Sequence, residues 1–246
     1  VSRSISSRWK RFALLFPIVG MAAATALAQG PGGQRGFFQA WYGASAFVPA
    51  PTDYLHFWNP AVTGDSDQGP GGNDGDSINF APDSVNGWDM GTANNKYVLL
   101  DGPITNGTSY TVTAWIKPDI TAMDNNQFGG WIVSDRTGGG STLDFQLNYN
   151  KAQSAYRMSV FNSSATQIQE FNTNVTDNVW QHLAGVVDST AGTIELFVDG
   201  VSDGSTALTI TPNDSYAGRA SIGISSWELT FTGTKYHGSI GKVRFY

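Results

Sequence analysis

The sequence predicts an all-β protein: a two-sheet antiparallel jelly-roll sandwich, preceded by one N-terminal hydrophobic helix. Three observations predict it. From residue 77 onward, short runs alternating apolar and polar residues recur at about 10–14 residue spacing, the rhythm of strands joined by turns. Gly (29) and Pro (10) supply about one residue in six of the 246, a turn-rich composition. Charged residues are only 14%, well under the roughly 25% of an average soluble domain, and no amphipathic helix stands out after residue 30. With 40% hydrophobic residues, the chain can bury a large core, and its length suits one sandwich.

Residues 1–28 read as a signal peptide or an uncleaved N-terminal membrane anchor. A basic stretch, VSRSISSRWKR, precedes 17 uncharged, mostly apolar residues ending in Ala26-Leu27-Ala28, the small-x-small pattern of a cleavage site. If retained, that apolar run is at the short limit of a spanning helix. The basic flank would then stay cytoplasmic, with the body exported. Val1 reads as a translated GTG start, hence a bacterial gene. Residues 29–76 form an aromatic, then Gly/Asp-rich lead-in. Positions 37–58 carry eight aromatics; beside a retained helix, Phe37, Phe38, Trp41 and Tyr42 would meet the membrane interface. Otherwise these rings pack on the sandwich as its first strand and lead-in.

Residues 77–246 form the sandwich. Strands are expected at 77–81, 96–101, 109–117, 129–134, 142–149, 155–161, 166–172, 180–188, 193–199, 206–211, 219–225 and 238–246. Leu143, Phe145, Leu147 and Tyr149 share one face, as do Tyr156, Met158 and Val160, and Ile194, Leu196 and Val198. Period two marks strands with one buried and one polar face. Asp199-Gly200 reads as a hairpin turn.

Five segments, in order, resemble a known family. Tyr110-Thr-Val-Thr-Ala-Trp-Ile-Lys-Pro-Asp119 looks like the opening strand of laminin-G-like, concanavalin A-like jelly rolls. Trp180-Gln-His-Leu-Ala-Gly-Val-Val-Asp188 resembles their central W-x-H-x-A-x-V strand, and Ile194 to Val201 their L-x-V-D-G hairpin. Ser221-Ile-Gly223 and Tyr236 to Tyr246 are similar to the last two strands. The resemblance implies a two-sheet sandwich that binds sugars, proteins or calcium, with some relatives acting as glycan hydrolases. One departure stands out: relatives commonly read G-x-I-D-E-V in the final strand, and here Gly241 and Lys242 replace the acidic pair.

Composition excludes several chemistries. There is no cysteine, so disulfides, thiolate metal sites and cysteine nucleophiles are out. The three histidines are His56, His182 and His237, and His182 reads as a structural residue of its strand. Four of the 14 basic residues precede residue 12, leaving 10 basic against 20 acidic groups, net −10, in residues 29–246. Such a body repels phosphate backbones, so nucleic acid is not an expected partner. No P-loop, G-x-G-x-x-G or G-x-S-x-G is present. Glu195 and Asp199 share a strand face, but four residues apart they sit about 13 Å from each other, outside the roughly 5–9.5 Å of paired glycosidase carboxylates. Asp83 and Asp89, flanking Trp88, are the remaining acid pair.

For a metal, Asp65, Asp67, Asp74 and Asp76 offer hard oxygens in one loop, which suits calcium, although the EF-hand spacing fails. A solvated Gly/Asp turn is the plain alternative. For a glycan, Trp88, Trp227 and Tyr236 fall in polar or Gly-rich loops where their faces could be exposed. Trp115, Trp131 and Trp180, in strands, read as core. Three functions are therefore in view. The first is a non-catalytic binding module recognising a glycan or partner protein at the bacterial envelope, periplasmic or extracellular. The second is a single-pass accessory subunit of a membrane complex, held in the lipid bilayer of the inner membrane by residues 12–28. The third is a glycoside hydrolase.

Overall fold

The computed structural model describes residues 56–82, 85–91, 96–104, 107–123, 129–136, 143–214, 218–225 and 235–246, all within the compact unit Phe47–Tyr246. Residues 1–28 and the aromatic positions Phe37, Phe38, Trp41 and Tyr42 lie outside them, as do Asp83 and Trp227. Among the described residues no helix is long and apolar enough to cross a membrane.

In chain order the elements are β1 (His56–Trp58), α1 (Pro60–Thr63), β2 (Gly75–Ile78), β3 (Trp88–Gly91), β4 (Tyr97–Leu100), β5 (Tyr110–Pro118), β6 (Trp131–Arg136) and β7 (Leu143–Asn150). They continue with β8 (Ala155–Phe161), β9 (Gln167–Asn172), β10 (Gln181–Asp188), β11 (Thr193–Val198), β12 (Val201–Ala207), β13 (Ser221–Ile222) and β14 (Gly238–Phe245). The strands form two antiparallel sheets. The first runs β1-β14-β5-β10-β11-β12, with β3 also on β14; the second runs β2-β4-β13-β6-β7-β8-β9. The all-β sandwich predicted from periodicity is the fold observed.

The core lies between the sheets. Val112, Ala114, Ile116 and Leu183 of the first sheet meet Val133, Phe145, Leu147 and Met158 of the second, all fully buried. Ala114 apart, each such side chain contributes roughly 1.5–3 kcal/mol on burial. Tyr110, Phe145 and Phe245 form a three-ring contact, with centroids 5.4–5.7 Å apart. It joins β5 and β14 to β7 at separations favourable for aromatic pairs.

Two places depart from the expected strand map. The segment expected at 206–211 is instead β12 at 201–207. Val198 pairs with Val201, so Asp199 and Gly200 alone make the loop, both at positive φ (51° and 81°), as a type I′ turn requires. Asp199 Oδ1 accepts the His182 amide at 2.8 Å and fixes the turn. β1 and β3, at three and four residues, are too short to show a period. β1 pairs with β14, so the sheet already contains residues from position 56. Gly238, at φ 114°, opens β14 where it bulges against β3; a Cβ there would fall 2.1 Å from the Lys117 carbonyl oxygen.

Candidate functional site

A two-sheet antiparallel sandwich ordinarily turns one face of each sheet to water. Over β6, β7 and β8 the second sheet does not. Opposite the core, β6 places Trp131 and Ser134, β7 Gln146 and Asn148, and β8 Arg157 and Ser159, in cross-strand register. Alternation forces this: Val133, Leu147 and Met158 take the inner face, so their chain neighbours take the outer one. None of the six is more than 3% exposed. Trp131 is fully buried yet separate from the main core. A bulge between Trp131 and Val133 places both Trp131 and Ile132 against one stretch of β7. Ile132 joins the main core cluster and Trp131 faces out, buried as expected of this tryptophan but outside that cluster.

The chemistry of this outer face is polar and incompletely paired. Arg157 Nε donates to Asn148 Oδ1 at 3.0 Å, and Asn148 Nδ2 donates to the Gly129 carbonyl at 3.2 Å. Among the described residues, five atoms of this face have no hydrogen-bond partner: Trp131 Nε1, Gln146 Nε2, Arg157 Nη2, Ser134 Oγ and Ser159 Oγ. Burial lowers the Arg157 guanidinium to about 10, which still leaves it charged at neutral pH. An unpaired buried polar group costs about 1–3 kcal/mol, and most native groups avoid it. Five on one face of three adjacent strands is a concentration that folding alone does not explain.

The residues singled out in the sequence fall elsewhere. Exposure was expected of Trp88 and Tyr236, and both are instead fully buried core residues. Trp88 Nε1 donates to Asp65 Oδ1 at 2.7 Å, and burial pushes the Tyr236 phenol well above its usual value. Neither ring has a face free for stacking. Trp115 and Trp180, also expected in the core, are half-buried on the outer face of the first sheet. Gly241 lies between them, its missing Cβ 3.3 Å from Trp115 Cβ and 3.4 Å from Trp180 Cζ3. The small residue standing where relatives carry an acid therefore makes room for two indoles. His182 sits beside them, its ring 5.2 Å from that of Trp115. Burial and the nearby Arg244 charge lower its pKa.

The four aspartates offered for calcium are occupied by the protein itself. Asp65 accepts from the Ser77 amide and hydroxyl and from Trp88. Asp67 accepts from His56 Nδ1 at 2.6 Å and from the amides of Phe57, Gly69 and Asn73. Asp74 accepts the Asp67 amide, and Asp76 pairs with Arg219 at 3.2 Å. Among the described residues no group of three His, Asp or Glu side chains converges on one point. The loop's role is to bind β1, β2 and β3 together. A depression beside it is lined by His56, Gly71, Gly72, Asn73, Asp101, Gly102 and Pro103. Of the acid pairs, Asp199 is held in its turn, and Asp89 Oδ1 accepts the Gly91 amide at 3.0 Å.

Sequence reasoning missed the outer face, although a signal was present. The out-facing positions of 144–150 and 157–159 read Asp, Gln, Asn, Asn, Arg and Ser. A freely solvated face favours Lys and Glu; this one favours amides and hydroxyls.

The sequence pattern of the family Laminin_G_3, described as the concanavalin A-like lectin/glucanases superfamily, matches residues 91–246. No curated protein matches the chain in sequence. Among solved structures, domain 4 of AbnA, a GH43 extracellular arabinanase from Geobacillus stearothermophilus in complex with arabinotriose, is similar. The identity is 15%, covering 78% of this chain and 91% of that one, with TM-score 0.56. The botulinum neurotoxin serotype D ligand binding domain, in complex with N-acetylneuraminic acid, is 8% identical over 78% of this chain and 47% of that one, with TM-score 0.56. At these identities the likeness is one of fold.

Proposed function

The chain belongs to the concanavalin A-like lectin/glucanase superfamily, and from that premise we propose that it is a non-catalytic, exported glycan-binding module whose binding surface is the outer face of β6, β7 and β8. The observation that carries the reading is the set of unpaired polar groups on that face. A sugar presents a ring of hydroxyls, each both donor and acceptor. Indole and amide N–H groups, a guanidinium and two serine hydroxyls are the complementary set. The similar fold of a domain solved with arabinotriose supports the same reading. Catalysis is not part of it: Asp199 and Asp89 are engaged in local backbone hydrogen bonds. Export rests on the basic-then-apolar pattern of residues 1–28.

The test is a glycan array probed with the purified chain, followed by Gln146→Leu and Ser134→Ala variants. Binding to a defined glycan class, weakened in both variants, is the expected result. Silence across the array, with the fold intact, overturns the reading. Glycan-dependent hydrogen exchange at β7 and β8 is the second readout of occupancy.

A second reading keeps the fold and makes the chain a membrane-anchored subunit of an envelope complex. Residues 12–28 and the aromatic run from Phe37 favour it. Release of the protein from membranes by carbonate without detergent rules it out. Retention, with an intact mass that includes residues 1–28, supports it.

A further inference from the structure

We propose that the glycan taken by this face is acidic, and that Arg157 is the residue that selects it. The inference rests on the glycan-binding reading above and names the ligand class of that same surface.

Arg157 is 3% exposed. Its Nε is held by a neutral amide oxygen, that of Asn148, and its Nη2 has no partner. Among the described residues it makes no ion pair, unlike Arg219, which reaches both Asp76 and Asp101. The described acids of the neighbouring strands are engaged elsewhere. Asp144 lies four residues along β7 from Asn148, about 13 Å away at the strand rise, and is bonded to Asn213. Asp135 accepts the Ile104 amide. Glu170 pairs across β8 with Met158, on the core face.

A buried charge without a partner is strongly unfavourable, and proteins pair such groups or use them. A guanidinium pre-positioned by one hydrogen bond, with another N–H free, is a receptor for an oxyanion. The neighbours Ser134, Gln146, Ser159 and Trp131 then supply partners for ring hydroxyls of the same sugar. The shared ligand chemistry is an anionic substituent on a sugar, either a uronate carboxylate or a sulfate ester.

Calorimetric titration of the intact chain decides it. The probes are an oligogalacturonate, its methyl ester, a sulfated galactan oligosaccharide and a neutral arabino-oligosaccharide, of matched length. The expected result is binding of an anionic probe at least about tenfold tighter than the methyl ester. In R157Q that preference should vanish, with affinity for the anionic probe falling roughly thirtyfold or more, the order seen when one partner of a buried charge pair is removed. R157K, with charge but no planar fork, should fall between. Preference for galacturonate over the sulfated probe identifies the carboxylate as the source, and the reverse identifies the ester. Binding of neither anionic probe more tightly than the methyl ester, or an R157Q protein that keeps the preference, overturns the acidic assignment and leaves glycan binding standing. Failure to bind any probe, or any glycan on the array, overturns both. If R157Q does not fold, the ester comparison on the unaltered chain decides alone.

Discussion

At the scale of single residues, the outer face of the second sheet makes a trade between stability and binding visible. Ser159 is fully buried and its hydroxyl has no partner. Replacing such a group by an apolar one of similar shape removes a desolvation cost. Ser159→Ala should therefore raise stability by about 1 kcal/mol while weakening glycan binding. Parallel thermal melts and titrations check this, and a destabilised variant would show the serine to be structural. Asp135 offers a second measurement. Burial, and then the Asp144 charge, push its carboxyl well above the ordinary value. A carboxyl whose folded-state pKa is raised binds its proton more tightly when folded, so its contribution weakens as pH rises from about 4 towards that raised value. Asp135→Asn keeps an oxygen for the Ile104 amide. The variant should be more stable than the parent at pH 7, and the gap should close near pH 3. Melting temperatures across that range give the answer; a gap that widens in acid contradicts it.

At the scale of elements, the loop from Asp65 to Asp76 and strand β1 behave as one polar latch. Burial opposes ionisation of Asp67, but His56 and the amides of Asn73, Phe57 and Gly69 outweigh it and hold the carboxyl below its ordinary 3.8. A carboxyl depressed in this way contributes its full stability above the unfolded value, and loses it as pH falls through the folded one. Attachment of β1 to β14 should therefore weaken below about pH 4. Asp67→Asn should be less stable at neutral pH and less sensitive to acid. Amide exchange of Phe57 and Arg244 between pH 6 and 3 reads this locally. The same latch shows why part of the structure was not legible. The long strands β5, β7, β8, β10 and β11 announce themselves by period two, and the Asp199-Gly200 turn by its dipeptide. β1 and β3 carry no period, and their places come from tertiary hydrogen bonds such as Asp65 to Trp88. Four aspartates in a Gly-rich loop look like cation ligands until their partners are seen. Trp88 and Tyr236 look exposed because their neighbours in sequence are polar, whereas the sheets fold over them. The candidate site was written in the sequence only as an excess of amides on one face, a pattern with no motif to mark it.

At the scale of the whole molecule, two electrostatic facts pull in opposite directions. Residues 29–246 carry a net charge of −10, so the body repels an acidic ligand at long range. Arg157, the charge that would receive that ligand, lies at 3% exposure, where a contact pair is screened far less than charges on the surface. Salt acts unequally on the two. Near 0.1 M the screening length is about 10 Å, which removes most of the repulsion between the body and an approaching polyanion but leaves a buried contact largely intact. A protein that holds acidic polymers through a surface basic patch loses affinity steeply as salt rises. This one should do the opposite over the low range. Between about 10 and 150 mM salt, association with an acidic oligosaccharide should become faster, with dissociation nearly unchanged, because repulsion shapes the encounter and the buried pair shapes the residence. Stopped-flow or surface-binding rates at a series of salt concentrations measure both. An association rate that falls tenfold or more over that range would mean that the ligand is held by exposed cations, and the buried face would lose its claim to the site.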